Sequence, residues 1–364
     1  MRARASTMKT SIDAYLPSRA RNIGQILEYV ERKSITDELL IKVGLRINKN
    51  LLLGSNHRCV AMLTVFKSII DNYEPNHQRP LDELKDMLVQ AKEFLNFCRP
   101  LSVSMLNAEK LIYAEIFNLN QQTASSQLSI TEECLLYNDH KQKLKDFIDQ
   151  FIYEEIWSAQ KGICENIQEN ITTNDVILVY GCSTIVQHVL LDSKLRGKRF
   201  RVIVVDSPPH FNGRRMLNFL NDNQIDVSYT LINSLSFVMR QATKVLLGAN
   251  SMLANGYVMS QIGTSQVALM AKATNVPTLV CCETYKLSDR VYVDSFGCNE
   301  VDGGHELDSA LNLRYDLTPP EFVSMVINEK NIVPAESVPA LLRFRAERKR
   351  NNPIEAAQTN TAHI

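Results

Sequence analysis

Between Ser18 and Gln168 the apolar positions recur at helical spacing. In RNIGQILEYVERK the residues Ile23, Ile26, Leu27 and Val30 fall on one face, and in DELKDMLVQAKEFL so do Leu84, Leu88, Ala91 and Leu95. Leu144, Phe147, Ile148, Phe151 and Ile152 repeat the pattern over Lys143 to Trp157, and turns are predicted at EPNHQRP (74–80) and NQQTASSQ (120–127). After Thr172 the rhythm becomes short β-branched runs, DVILVYG, FRVIVVDS, DVSYTLI, KVLLGAN and VPTLVCCE, separated by segments long enough for helices. Near-continuous apolar strands need cover on both faces, which crossover helices of a parallel sheet supply. The pattern predicts an N-terminal helical domain over 18–168 and a Rossmann-like, doubly wound, mostly parallel α/β domain over 169–342. LNLRYDL (311–317) reads as a last strand, and PPEFVSMVINE as a helix with prolines at its start and Phe322, Met325 and Val326 on one face. Residues 1–17 are expected to be disordered, and the basic stretch 343–364 to be a frayed, solvated tail.

Charge and composition narrow the partners. Forty Lys and Arg balance forty Asp and Glu, and 45% of residues are hydrophobic, so nothing global draws the chain to nucleic acid or to an anionic membrane. Apolar runs such as VILVY (176–180) fall far short of the ~18 residues of a bilayer span. The eight cysteines show no CxxC pair and no zinc-ligand spacing with His, which suits a reducing compartment and predicts no metal site. The acid-free opening MRARASTMKTSI weakly resembles a transit segment, but short basic starts are common in cytosolic chains, and a cytosolic protein is expected.

Ligands of open α/β sheets sit beyond the carboxyl ends of the strands, and two loops fall there. In YGCSTI (180–185) only Gly181 of a dinucleotide fingerprint is present, so no nicotinamide cofactor is expected. Cys182 either meets a helix N-terminus that lowers its thiol pKa or is a small residue tolerated beside a tight turn. The loop GANSMLANGYVMSQIGT (248–264) has an Asn255-Gly256 turn. Gly263, Thr264 and Ser265 then offer N–H groups at a helix start, open to an anion or simply capped. No Asp, Glu, His or Cys lies between Gly248 and Ala271, so this frame holds no acid or base. Arg99, before a proline and a helix, suits a phosphate or merely marks a helix boundary.

Seven blocks in order, LGSNHRCVAML, CRPLSVSMLNA, DVILVYGCST, FRVIVVDSPP, KVLLGANSMLANGYVMSQIGTSQVALMAK, VPTLVCCETYK and LRYDLTPPEF, resemble the regulatory subunits of eukaryotic translation initiation factor 2B, the delta type among alpha, beta and delta. Delta subunits carry a long charged N-terminal extension, whereas this chain opens almost at its folded part. The family shares its fold with isomerases of methylthioribose 1-phosphate and ribose 1,5-bisphosphate. The resemblance to those enzymes places a phosphate-binding Arg-Pro at Arg99, a strand-end cysteine at Cys182, and a loop GADR-x-x-x-NG over GANSMLANG. The aspartate of that loop is Asn250 here and the arginine is Ser251, and the glycine-bearing loop after the cysteine is Ser183-Thr184-Ile185. A carboxamide does not titrate near neutrality, so it cannot move the proton that isomerisation requires. The resemblance therefore implies a catalytically dead, cofactor-free relic pocket (Cys182, Asn250, Arg99, Gly263, Thr264) in a regulatory subunit of the exchange factor for initiation factor 2. It further implies partnership with the beta subunit, for which Leu311, Leu313 and Tyr315 are the candidates, although alternating apolar residues equally suit an edge strand packed on its own core. Assembly with alpha, gamma and epsilon, and binding of initiation factor 2 with sensing of phosphorylation on its alpha subunit, are implied as well, without direct nucleic-acid or membrane contact. An active sugar-phosphate isomerase is the alternative.

Overall fold

The structure, a computed structural model, describes residues 21–52, 54–74, 80–124, 130–296, 299–301 and 313–343. The expected disordered start (1–17), the tail beyond 343 and Leu311 lie outside the described residues. The chain divides into two compact units, one built on 20–156 and the other on 157–342.

The helical unit contains α1 (Ile23–Arg32), α2 (Glu38–Asn48), α3 (Ser55–Asn72), α4 (Pro80–Cys98), α5 (Val103–Ala124) and α6 (Ile130–Phe151). Asn22 and Gln25 cap α1 reciprocally, and Asp37 Oδ1 accepts from Leu40 N at 2.9 Å to cap α2. Leu84, Leu88, Ala91 and Leu95 of α4 are all buried, as the spacing predicts. A Cβ on Gly44 of α2 would come within 2.5 Å of the Phe94 ring, so only glycine permits this approach of α2 to α4. After α6 the chain passes through a π-helical stretch, Ile152–Ser158, into α7 (Ala159–Asn166).

The unit boundary falls near Trp157, twelve residues before the expected 169, because α7 packs with the α/β unit. Its Ile163, Cys164 and the following Ile167 are buried in one core with Ile177, Val179, Val186 and Val189. The strands β1 (Val176–Tyr180), β2 (Arg201–Asp206), β3 (Asp226–Leu231), β4 (Lys244–Gly248), β7 (Thr278–Cys281), β9 (Met325–Ile327) and β10 (Ile332–Val333) form one sheet. Its order is β10-β9-β7-β4-β1-β2-β3, parallel throughout except for the β9–β10 pair. A small antiparallel sheet β5-β6-β8 is made by Ser251–Met252, Val258–Gln261 and Tyr315–Thr318.

Alternation along the strands separates two cores. Leu178, Tyr180, Ile203, Val205, Val245, Leu247 and Val280 face one side, where Leu235 of the short α10 (Leu235–Val238) and Val267 and Ala271 of α11 (Thr264–Ala273) cover them. Ile177, Val179, Val202, Val204, Leu246 and Leu279 face the other, under α8 (Thr184–Leu195) and α9 (Gly213–Asp222). PPEFVSMVINE does not form the expected helix. After a short turn at Pro320–Phe322 its Met325, Val326 and Ile327 join the sheet beside β7, and Ser324 N donates to Thr278 O at 2.9 Å. β-branched residues with an open parallel edge next to them outweigh the proline signal. No helix among the described residues is long and apolar enough to cross a membrane.

Candidate functional site

Strand order reverses between β1 and β4, which makes the crevice beyond their carboxyl ends the expected ligand site. From β1 it receives Tyr180, Gly181, Cys182 and Ser183, and from β4 Gly248, Ala249 and Asn250. The chain's own side chains crowd it. A Cβ on Gly248 would lie 2.0 Å from Ser183 Oγ, so the serine hydroxyl rests directly on the β4 backbone. Gly181, at φ +61°, leaves its Cβ position to Gln261 Oε1, 2.7 Å away, and Asn212 Nδ2 donates to that same oxygen at 3.3 Å. Side chains therefore stand against the backbone where a phosphate would need it bare.

Cys182 is partly buried, its sulfur accepting from Gln187 Nε2 at 3.5 Å. Burial pushes its thiol up to about 11, which the nearby Arg215 only partly opposes. The proposed lowering by the α8 dipole does not prevail, and the thiol stays protonated at neutral pH. Asn250 is half-buried; its backbone N donates to Met259 O at 2.9 Å, and its carboxamide has no hydrogen-bond partner among the described residues. Asp206, fully buried at the end of β2, accepts from Ser207 N and from Tyr229 OH, each at 2.9 Å, so this carboxylate is already engaged.

The helix start at Gly263, Thr264 and Ser265 is also occupied. Asp316 of β8 places Oδ2 on Gly263 N at 2.8 Å and on Ser265 N at 2.9 Å. An internal carboxylate thus fills the anion position that the sequence leaves open. Gly263 has φ +99°, and Tyr180 OH occupies the place of its missing Cβ while donating to Ile262 O at 2.5 Å. Thr264 Oγ donates to Gln261 O, and Asn255 Nδ2 donates to Tyr292 O at 2.8 Å, so both serve the loop itself. Beyond β7, Glu283 and Lys286 form a buried ion pair at 2.7 Å, and Lys286 Nζ also reaches Ala249 O at 3.4 Å.

In the helical unit Arg99 is 9% exposed and donates to Asn50 Oδ1 at 3.1 Å, between the end of α4 and the start of α5. Leu313 is 8% exposed and bridges to Val301, so it packs within its own unit and offers little surface to a partner. Tyr315 is half-buried, with Asn299 bonded to both its backbone N and O. Sequence reasoning did not assign roles to Asp316, Gln261, Tyr180 or the Glu283–Lys286 pair. Their only signal was membership of blocks such as LRYDLTPP and CCETYK: Asp316 meets Gly263, Gln261 meets Asn212 and Tyr180 meets Ile262 only across long stretches of chain, and Glu283 and Lys286, though three residues apart, show their pairing only once burial is known. No group of three metal-ligating side chains occurs among the described residues.

Fold and site define a class: a doubly wound α/β domain whose switch-point crevice is crowded from within. The chain belongs to the initiation factor 2 subunit family, whose pattern matches residues 52–335. It is 33% identical over 327 residues to translation initiation factor eIF2B subunit delta of Schizosaccharomyces pombe, covering 83% of this chain and 68% of that one. It is 30% identical over 273 residues to ribose 1,5-bisphosphate isomerase of Pyrococcus furiosus, covering 72% of this chain and 81% of the enzyme. The crystal structure of the tetrameric eIF2B-beta2-delta2 complex from C. thermophilum contains a chain similar to it at a TM-score of 0.76 and 27% identity, covering 87% of this chain and 97% of that one.

Proposed function

We propose that this chain is a non-catalytic, delta-type regulatory subunit of the guanine-nucleotide exchange factor for initiation factor 2. In this reading it pairs with a beta subunit, assembles with alpha, gamma and epsilon, binds initiation factor 2, and distinguishes the form phosphorylated on its alpha subunit. The observation that carries the reading is the crevice: an amide stands at position 250, and Ser183 and Gln261 lie against the glycines where a phosphate would approach. A pocket without a titrating group at the reacting position offers recognition rather than proton transfer. Regulation by the phosphorylated factor then requires unequal affinity for two arrangements of the assembly, since a ligand shifts an equilibrium only by that difference.

A surface for the beta subunit lies along β8. Val291, Val293 and Phe296 are 60%, 72% and 44% exposed. Their loop is held to β8 by Leu317 N donating to Ser295 Oγ at 3.2 Å, and to the Asn255 turn by Ala254 N donating to Arg290 O at 3.1 Å. Tyr315 is on the same strand, and Leu311 precedes it in sequence. Clustered apolar side chains on a soluble domain mark an interaction site. Native mass spectrometry of the affinity-purified protein at its natural abundance tests the reading. Recovery of beta, gamma and epsilon subunits with initiation factor 2 is expected, with beta recovery reduced about tenfold or more by Val293→Asp at unchanged fold stability. A homodimer without these partners would contradict it and favour the isomerase reading, which the similarity to the Pyrococcus furiosus enzyme supports.

A further inference from the structure

We propose that Asp316 is a proton-linked staple that fastens β8 to the start of α11 and loosens as the solution turns alkaline. The inference is independent of the partner assignment and begins with an asymmetry in one carboxyl group. Oδ2 accepts two backbone N–H groups, from Gly263 and Ser265, whereas Oδ1 is buried with no hydrogen-bond partner among the described residues. An ionised carboxylate held this way leaves one charged oxygen buried with no donor among the described residues, which is costly. A protonated group loses no contact, because its carbonyl oxygen still accepts both N–H groups while the hydroxyl carries no charge.

Among the described residues, no cation pairs with this carboxyl group. From β1 comes Tyr180, with its hydroxyl committed to Ser207 and Ile262 O and the buried Asp206 nearby. β6 contributes no titratable residue, and the one charged residue of α11 is Lys272, in its last turn. Arg314, just before β8, pairs with Glu300 at 3.4 Å, and Glu321 in the turn after β8 is exposed. Burial raises Asp316 from the usual carboxylate range to about 7, with the backbone N–H groups of Ser265, Gly263 and Asp316 itself opposing the rise. Because the folded-state value lies above the unfolded one, the staple's contribution is complete at low pH and is lost as pH rises through about 7.

β8 is the edge strand of the small sheet, paired with β6 on one side. Opening at Asp316 therefore frees a strand edge together with the first turn of α11, and protonation sets how often this occurs. Hydrogen exchange on the full chain, corrected for intrinsic exchange, tests this. Between about pH 6 and pH 8.5, protection of peptides covering 263–270 and 313–320 is expected to fall about tenfold. Peptides covering 176–206 should hold their protection, and Asp316→Asn should flatten the dependence in the first two. Equal protection of the wild-type peptides at both pH values would overturn the proposal, as would an undiminished fall in the Asn variant. The wild-type comparison decides the matter even if the variant folds poorly.

Discussion

Glu283→Ala is expected to remove about 3–5 kcal/mol from the stability of the α/β unit. The carboxylate is fully buried, and its partner Lys286 is 5% exposed on its side chain, at 2.7 Å. Once the carboxylate is gone, the lysine keeps, among the described residues, the 3.4 Å approach to Ala249 O, far too little to stabilise a cation withdrawn from water. Removing both charges should be much milder. In Glu283→Ala with Lys286→Met no orphaned charge remains, and apolar replacement of a buried pair is commonly close to neutral. Guanidinium denaturation of the full chain, followed by a probe in the α/β unit, measures both. A loss below about 1 kcal/mol for the single variant would place Lys286 in a far wetter environment than its burial indicates.

Gly263→Ala is expected to cost about 2–5 kcal/mol, from left-handed backbone strain plus overpacking. At φ +99° any side chain is strained, and here the new Cβ would lie 2.1 Å from Tyr180 OH and 2.7 Å from its Cζ. The backbone shift needed to relieve this would also pull Gly263 N from Asp316. Gly197 separates the two contributions: its φ is +83° and a Cβ there meets nothing within 4 Å, so Gly197→Ala should cost about 1–2 kcal/mol of strain alone. In a Tyr180→Phe background the Gly263→Ala penalty should shrink but persist, since the ring carbon stays while the hydroxyl leaves. Thermal unfolding of the four variants measures these differences, and equal losses at positions 263 and 197 would show that the crowding at Tyr180 is readily relieved.

Much of the architecture was legible in the sequence because periodicity reports directly on burial. In α4 all four residues of the apolar face are buried, and the five β-branched runs after Thr172 all became strands of one sheet. In α1 the same periodicity shows a stripe, yet only Ile26 is fully covered, while Ile23 and Leu27 are 43% and 47% exposed. Spacing identifies a face but not whether another element covers it. β9 was missed because a Pro-Pro pair reads as a helix start, whereas the edge of β7 that captures Met325 to Ile327 comes from a segment forty-odd residues away. At the site, the resemblance to the isomerase loop singled out position 250, and residue identity then sufficed to rule out titration by its amide, since titration is a property of the group itself. The state of Cys182 depended on burial, and the occupation of the α11 start by Asp316 depended on a contact across fifty-three residues, so neither is written in local sequence.

Incubating the purified full chain with ribose 1,5-bisphosphate, and separately with methylthioribose 1-phosphate, probes the crevice itself, with the sugar followed by NMR. No conversion above the uncatalysed background is expected for the wild type. None is expected for Asn250→Asp either, because Ser183 and Gln261 still lie against the backbone of Gly248 and Gly181. Conversion by the wild type that disappears in Cys182→Ser would show a working proton-transfer site and contradict a crevice given over to structure and recognition.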